Sequence, residues 1–134
     1  MRPGSDIRKK GGNDLKIQES AENYLEAILT LGKKKTEVHA IDIASHLEFS
    51  KPSVSIAMKK LRESGHIHVD EFGHITLTDL GREIAERIYE RHTFLSQWLE
   101  SMGVPPQIAA EDACRMEHVV SNESFEAIRR FAGK

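Results

Sequence analysis

Apolar side chains recur at helical spacing along most of the chain, and breaks in that spacing mark the element ends. Ala21, Leu25, Ile28 and Leu29 form one stripe, predicting a helix from about Ser20 to Leu31 that Gly32 and the lysines after it terminate. Ile43, Ala44 and Leu47 give a second, short helix from His39 to Leu47. After Glu48-Phe49-Ser50, a third helix carries Val54, Ala57, Met58 and Leu61 inward. Ser50 is a good N-cap, Pro52 sits in the first turn where no donor is lost, and Gly65 is a favourable stop.

The period then changes to two. Ile67 and Val69 alternate with His66 and His68, and Ile75 and Leu77 alternate with His74 and Thr76. Two short strands joined by Asp70-Glu71-Phe72-Gly73 are predicted. Thr78 caps a long helix, Asp79 to about Met102, with Leu80, Ile84, Ile88, Leu95, Leu99 and Met102 on one side. Gly103 to Pro106 breaks the chain; a fifth helix follows from about Gln107 to Val120, and Ser121 or Asn122 caps a last one reaching Phe131.

Helix, short helix, tight turn, basic helix, hairpin is the order of a winged helix-turn-helix. The expected fold class is therefore mainly α, a winged helix-turn-helix DNA-binding domain followed by an α-helical domain. Expected boundaries are a flexible N-terminal arm at 1–19, the winged helix at 20–78 and the helical domain at 79–134. A recognition helix in the major groove needs small hydroxyls and long cations on its exposed side. The third helix offers Lys51, Ser53, Ser55, Lys59 and Lys60 there. The wing tip is acidic, so a weak or absent wing contact with phosphate is expected. A generic three-helix unit with a hairpin would share the pattern.

Composition narrows the class. Of 134 residues, 39% are hydrophobic and 30% charged, which suits a soluble domain. No stretch approaches the roughly 20 apolar residues that span a bilayer, so no membrane partner is expected. The first fourteen residues are polar and basic and lack the apolar core of a secretory signal. A single cysteine, Cys114, excludes an intramolecular disulfide and favours a reducing, cytoplasmic location. Net charge is only −2, so no global basic field points to nucleic acid. Locally, however, Lys51, Lys59, Lys60 and Arg62 face Glu63 alone between Lys51 and Ser64. Such an excess suits a phosphate-facing helix, or simply a solvated one.

Candidate chemistry lies on the fifth helix. Cys114, Glu117 and His118 stand at i, i+3 and i+4 and share a face. Thiolate, carboxylate and imidazole together form a tripod for a first-row divalent metal. Taken alone the match is weak, since cysteine is often a small buried hydrophobe. His92 falls between Ile88 and Leu95 near the apolar side of the long helix, where a ring needs a partner, a metal or a carbonyl. Asn23 and Glu26 are co-facial on the first helix, and Glu26 borders its apolar stripe, a costly place for an unpaired carboxylate. Helices one, four and five could thus converge on a common site.

The run Asp112-Ala113-Cys114-Arg115-Met116-Glu117-His118 resembles the metal-binding helix of the diphtheria toxin repressor family of iron- and manganese-dependent regulators. Ala21-Glu22-Asn23-Tyr24-Leu25-Glu26-Ala27-Ile28 resembles that family's first helix, and the long helix with Leu80-Gly81 and Arg91-His92 resembles its linker helix. The likeness is collinear from about residue 20 onward. It implies a metal-binding and dimerisation role for the helical domain, in a homodimer that binds a palindromic operator on double-stranded DNA when loaded with Mn(II) or Fe(II). Such a protein represses metal-uptake genes. By position, Cys114, Glu117 and His118 match the primary-site ligands of the iron branch. Glu26 and His92 match second-site ligands of the manganese branch, where the position of Glu117 bridges, so two metals per subunit are implied.

The pattern also departs from the family. Asn23 stands where the branches have Met or Asp, and Cys114 where the manganese branch has a carboxylate. Ser96 and Ala110 replace ancillary ligands of the iron branch. With the chain ending at Lys134, that branch's third, SH3-like domain is not expected. The compact, manganese-type architecture is thus combined with an iron-type cysteine.

An enzyme is not expected. Cys114 and His118 on one helix have no oxyanion hole or nucleophile elbow beside them, and no Gly-rich phosphate loop is present. No small organic substrate is implied. The alternative is a winged-helix regulator answering to a non-metal ligand or to oxidation of Cys114.

Overall fold

The computed structural model describes residues 4–133, with side chains from Glu19 onward. The first three positions of the expected arm lie outside the described residues. The order is α1 (Gly4–Lys34), α2 (Ala40–Leu47), α3 (Lys51–Glu63), β1 (Ile67–Val69), β2 (Ile75–Leu77), α4 (Asp79–Ser101), α5 (Pro106–Val119) and α6 (Asn122–Ala132). Two compact units divide the chain after Ala85, inside α4.

In the first unit α1 packs against α2, α3 and β2. It begins at Gly4, well before the start expected near Ser20, so the backbone of residues 4–19 continues the helix. Gly11 and Gly12 lower helix propensity but keep their N–H donors, and no proline interrupts the run after Pro3. Between Glu22 and Leu31 the helix is buried over a wide arc, including Tyr24, Leu25, Ala27, Ile28 and Leu29. The stripe read from periodicity covers only part of that arc, because elements approach α1 from several sides.

Asp42 starts α2 by accepting the backbone N–H of His39 at 2.8 Å, and Lys35 Nζ reaches the other oxygen at 2.7 Å. Glu48 ends α2 in the left-handed region (φ 59°) while Phe49 N–H bonds Ala44 O at 3.0 Å. That strained residue makes the tight turn into α3. Ser50 caps α3 as expected, its Oγ accepting the N–H of Ser53 at 3.3 Å. Val54, Met58 and Leu61 are buried, and Ala57 is only half-buried.

The hairpin is antiparallel, with Ile67 opposite Leu77 and Val69 opposite Ile75. Gly73 (φ 82°) allows its turn, where Asp70 accepts the N–H groups of Phe72 and His74 at 2.9 and 2.8 Å. Thr78 caps α4 through Gly81 N–H at 3.2 Å. A Cβ on Gly81 would lie 2.0 Å from His66 O, so only glycine lets α4 start so close to the hairpin. Leu80 and Met102, read as part of the apolar side of α4, are exposed instead. Each lies at an end of the helix, where the stripe runs past the neighbours that could cover it.

The second unit holds the rest of α4 with α5 and α6. Leu95, Ala113 and Phe125 form its buried cluster, with Phe94, Trp98, Met116 and Val120 packed around it. Ser121 caps α6, accepting the N–H of Ser124 at 3.0 Å. Among the described residues no helix is long and apolar enough to cross a membrane.

Candidate functional site

Prolines 105 and 106 open α5, where missing N–H donors cost nothing. Ala109, Ala113 and Glu117 then fall at i, i+4 and i+8, and all three are fully buried at 0% exposure. Two small residues followed by a carboxylate on one buried line place an acid where an apolar side chain would be expected.

Around that acid the predicted tripod assembles. One donor atom from each of Cys114, Glu117 and His118 lies within 4.8 Å of the others. The thiol of Cys114 is on the exposed edge of the group. Glu117 Oε1 is 2.9 Å from Nδ1 of His92, the half-buried histidine of α4. Glu117 Oε2 lies 3.4 Å from His118 Nε2, yet among the described residues it has no hydrogen-bond partner. A buried carboxylate oxygen without a donor is costly unless a cation faces it. Soft thiolate, hard carboxylate and borderline imidazole suit a first-row divalent ion, so the residues fit a metal. Asn23 and Glu26, the other expected ligands, stand half-buried on α1 in the first unit.

Periodicity passed over Arg91. It is 7% exposed, and Nη1 donates to the main-chain oxygens of Glu117 at 3.0 Å and Val120 at 2.7 Å. Nη2 donates to Asn122 Oδ1, and the guanidinium lies 5.2 Å from the centre of the Phe125 ring. Carbonyls in the last turn of a helix lack intrahelical donors, and Arg91 supplies them at the turn that carries Glu117 and His118. The sign was available: Ile84, Ile88, Arg91 and Leu95 follow spacings of four, three and four, putting a cation inside the stripe.

On α3, Lys51, Ser53, Ser55, Lys59 and Lys60 are all exposed. Among the described residues the three lysines have no ion-pair partner. Ser50 Oγ donates to Ser53 Oγ at 2.9 Å, leaving the Ser53 hydroxyl proton available. The N–H of His74, and after it that of Phe72, hold the Asp70 carboxyl below its ordinary range, which keeps the wing tip negative. Helical periodicity does not single out Ile56, an exposed apolar residue of the same helix.

Residues 16–75 match the family model described as iron dependent repressor, N-terminal DNA binding domain, and residues 78–134 match iron dependent repressor, metal binding and dimerisation domain. The chain belongs to the iron-dependent repressor family. Its members are metal-dependent transcription regulators rather than enzymes. The chain is 35% identical to the transcriptional regulator MntR of Escherichia coli O157:H7 over 117 residues, 87% of this chain and 76% of that protein. It is 31% identical to the uncharacterized HTH-type transcriptional regulator MJ0568 of Methanocaldococcus jannaschii, covering 88% of this chain and 96% of the relative. Among solved structures, a manganese-dependent transcriptional repressor in complex with manganese matches with TM-score 0.76 at 29% identity. T. acidophilum IdeR matches with TM-score 0.71 at 28% identity. The chain covers 52% and 53% of those two chains, about half of each.

Proposed function

We propose that the protein is a cytoplasmic repressor that binds a palindromic operator as a homodimer when loaded with Mn(II) or Fe(II), controlling metal-uptake genes. The carrying observation is the buried carboxyl of Glu117, one oxygen of which has no hydrogen-bond donor among the described residues, beside the Cys114 thiol and His118 imidazole. Its relatives' names, a manganese-dependent repressor among them, favour the same reading.

In this reading Cys114, Glu117 and His118 hold one metal together with Asn23. Glu26, His92 and the second oxygen of Glu117 hold another. When bound, the metal supplies compensating positive charge and a coordination shell whose donors come from separate elements. His92 is kept in orientation by Oε1 of Glu117, and Arg91 keeps the α5 carbonyls in place. Asn23 and Glu26 bring α1 into the ligand set, coupling the DNA-binding unit to metal and shifting the population toward a DNA-competent arrangement. On α3, Lys51, Lys59 and Lys60 engage phosphates, and Ser53 and Ser55 touch bases or phosphates near the helix N-terminus.

The test is DNA affinity with and without Mn²⁺ or Fe²⁺, alongside anaerobic metal stoichiometry. Wild type should hold two metals per subunit and bind DNA only when loaded. Glu117→Ala and His118→Ala should remain folded dimers without a metal response, and Glu26→Ala or His92→Ala should hold one metal. Metal-dependent DNA binding by the Glu117 and His118 variants would refute the ligand assignment.

A further inference from the structure

We propose that Ile56 is a base-reading residue whose side chain contacts the C5-methyl group of a thymine in the major groove. The inference rests on α3 being the DNA reader. Ile56 is 58% exposed, on the side of α3 away from Val54, Met58 and Leu61. Its covered part lines a groove against the Ser20–Tyr24 turn of α1. A β-branched residue on the open face of a helix adds neither core burial nor helix propensity, so folding does not account for it. Phe49, another exposed apolar residue of this unit, at least meets Tyr24 edge-on at 5.8 Å.

The surroundings of Ile56 select the occupant. Exposed Ser53 lies three residues before it, Pro52 four before, and Lys59 and Lys60 three and four after. A protein or membrane partner needs a broad apolar patch; Ile56 and Pro52 among cations are too small, since Ala21, Tyr24, Ala57 and Leu61 of the adjoining groove are themselves largely covered. DNA matches both features. Its phosphates draw the lysines, and the thymine methyl is the apolar group its major groove presents. Ile56 thus specifies a base where the lysines specify only a polyanion.

The experiment uses the full chain with Mn²⁺ and a randomised duplex library to select a preferred site. Thymine is then replaced by uracil, which removes only the methyl group, at single positions of that duplex. At one position per half-site the replacement should weaken wild-type binding about fourfold, the worth of one buried methyl. Ile56→Ala should bind both duplexes equally, and Ile56→Gln should select adenine at that position. An Ile56→Ala protein that keeps the wild-type thymine-to-uracil ratio overturns the assignment while leaving α3 as reader. A wild type that selects no sequence, or a Lys59, Lys60 double alanine variant with unchanged affinity and salt slope, overturns the reader and this inference with it.

Discussion

The two units differ in how polar their interiors are: among the described residues the first buries one charged side chain, Glu22, beside a large hydrophobic cluster, and the second buries two around a smaller one. The first gathers fifteen buried hydrophobic residues, from Tyr24 to Ala85, into one cluster. The second centres on Leu95, Ala113 and Phe125, and its interior also holds Arg91 and Glu117. Burial of apolar surface is non-directional and stabilises the first unit without any ligand. Polar interior groups contribute only if every partner is in place, and among the described residues none donates to Glu117 Oε2. A reading head must keep its shape while it searches DNA, whereas a sensor must be incomplete until its ligand arrives. The contrast therefore assigns constancy to one unit and responsiveness to the other.

Arg91→Ala should have the largest effect. It strips donors from the buried carbonyl of Glu117, the half-buried carbonyl of Val120 and Asn122, and should destabilise the second unit by about 3 kcal/mol, since a buried acceptor left unsatisfied costs roughly 1–3 kcal/mol and the half-buried ones can turn to water. Trp98, the single tryptophan, packs beside the second cluster, so its fluorescence during urea unfolding reads this unit. An unmoved transition would mean the carbonyls find water instead.

Glu117→Gln should act in the opposite direction and less strongly. The amide still meets His92 and can place an NH2 donor facing His118 Nε2 at the Oε2 position, which among the described residues has no hydrogen-bond partner, so the metal-free protein should gain about 1 kcal/mol. Wild type should gain roughly 2.7 kcal/mol for each site that Mn²⁺ fills at a hundred times its Kd, and the variant almost none. Thermal melts with chelator and with Mn²⁺ measure both. A metal-free variant less stable than wild type would show that the second unit is complete without a cation.

The smallest effect belongs to the first unit. Hydrogen bonds from Lys35 and then from the His39 N–H depress the Asp42 carboxyl below its ordinary range. A depressed folded-state value gives stability that is present above the unfolded carboxyl's pKa, near 3.9, and lost as pH falls through the folded value. Asp42→Asn should therefore cost about 0.5–1 kcal/mol at pH 7, a typical capping loss. The gap should close below about pH 4, and urea titrations across that range would reveal a gap that instead persists.

Much of this was legible from spacing alone. Ser50 and Thr78 announced the starts of α3 and α4, the start of α6 was narrowed to Ser121 or Asn122, and the shared face of Cys114, Glu117 and His118 follows from helical period. Such signals act between residues three or four apart, so a local reading recovers them. Leu80 and Met102 escaped it because periodicity shows which residues align, not whether a neighbour covers them.

The sequence by itself determined the winged-helix order, the cationic face of α3 and the candidate tripod, because each is written within one or two helical turns. Packing alone settles that Glu117 is fully buried, with one oxygen that no donor among the described residues reaches. The same holds for Arg91, which satisfies carbonyls 26 and 29 residues away. Both depend on how α4 and α5 pack, and burial of a polar atom is set by neighbours distant in the chain, which no local period records.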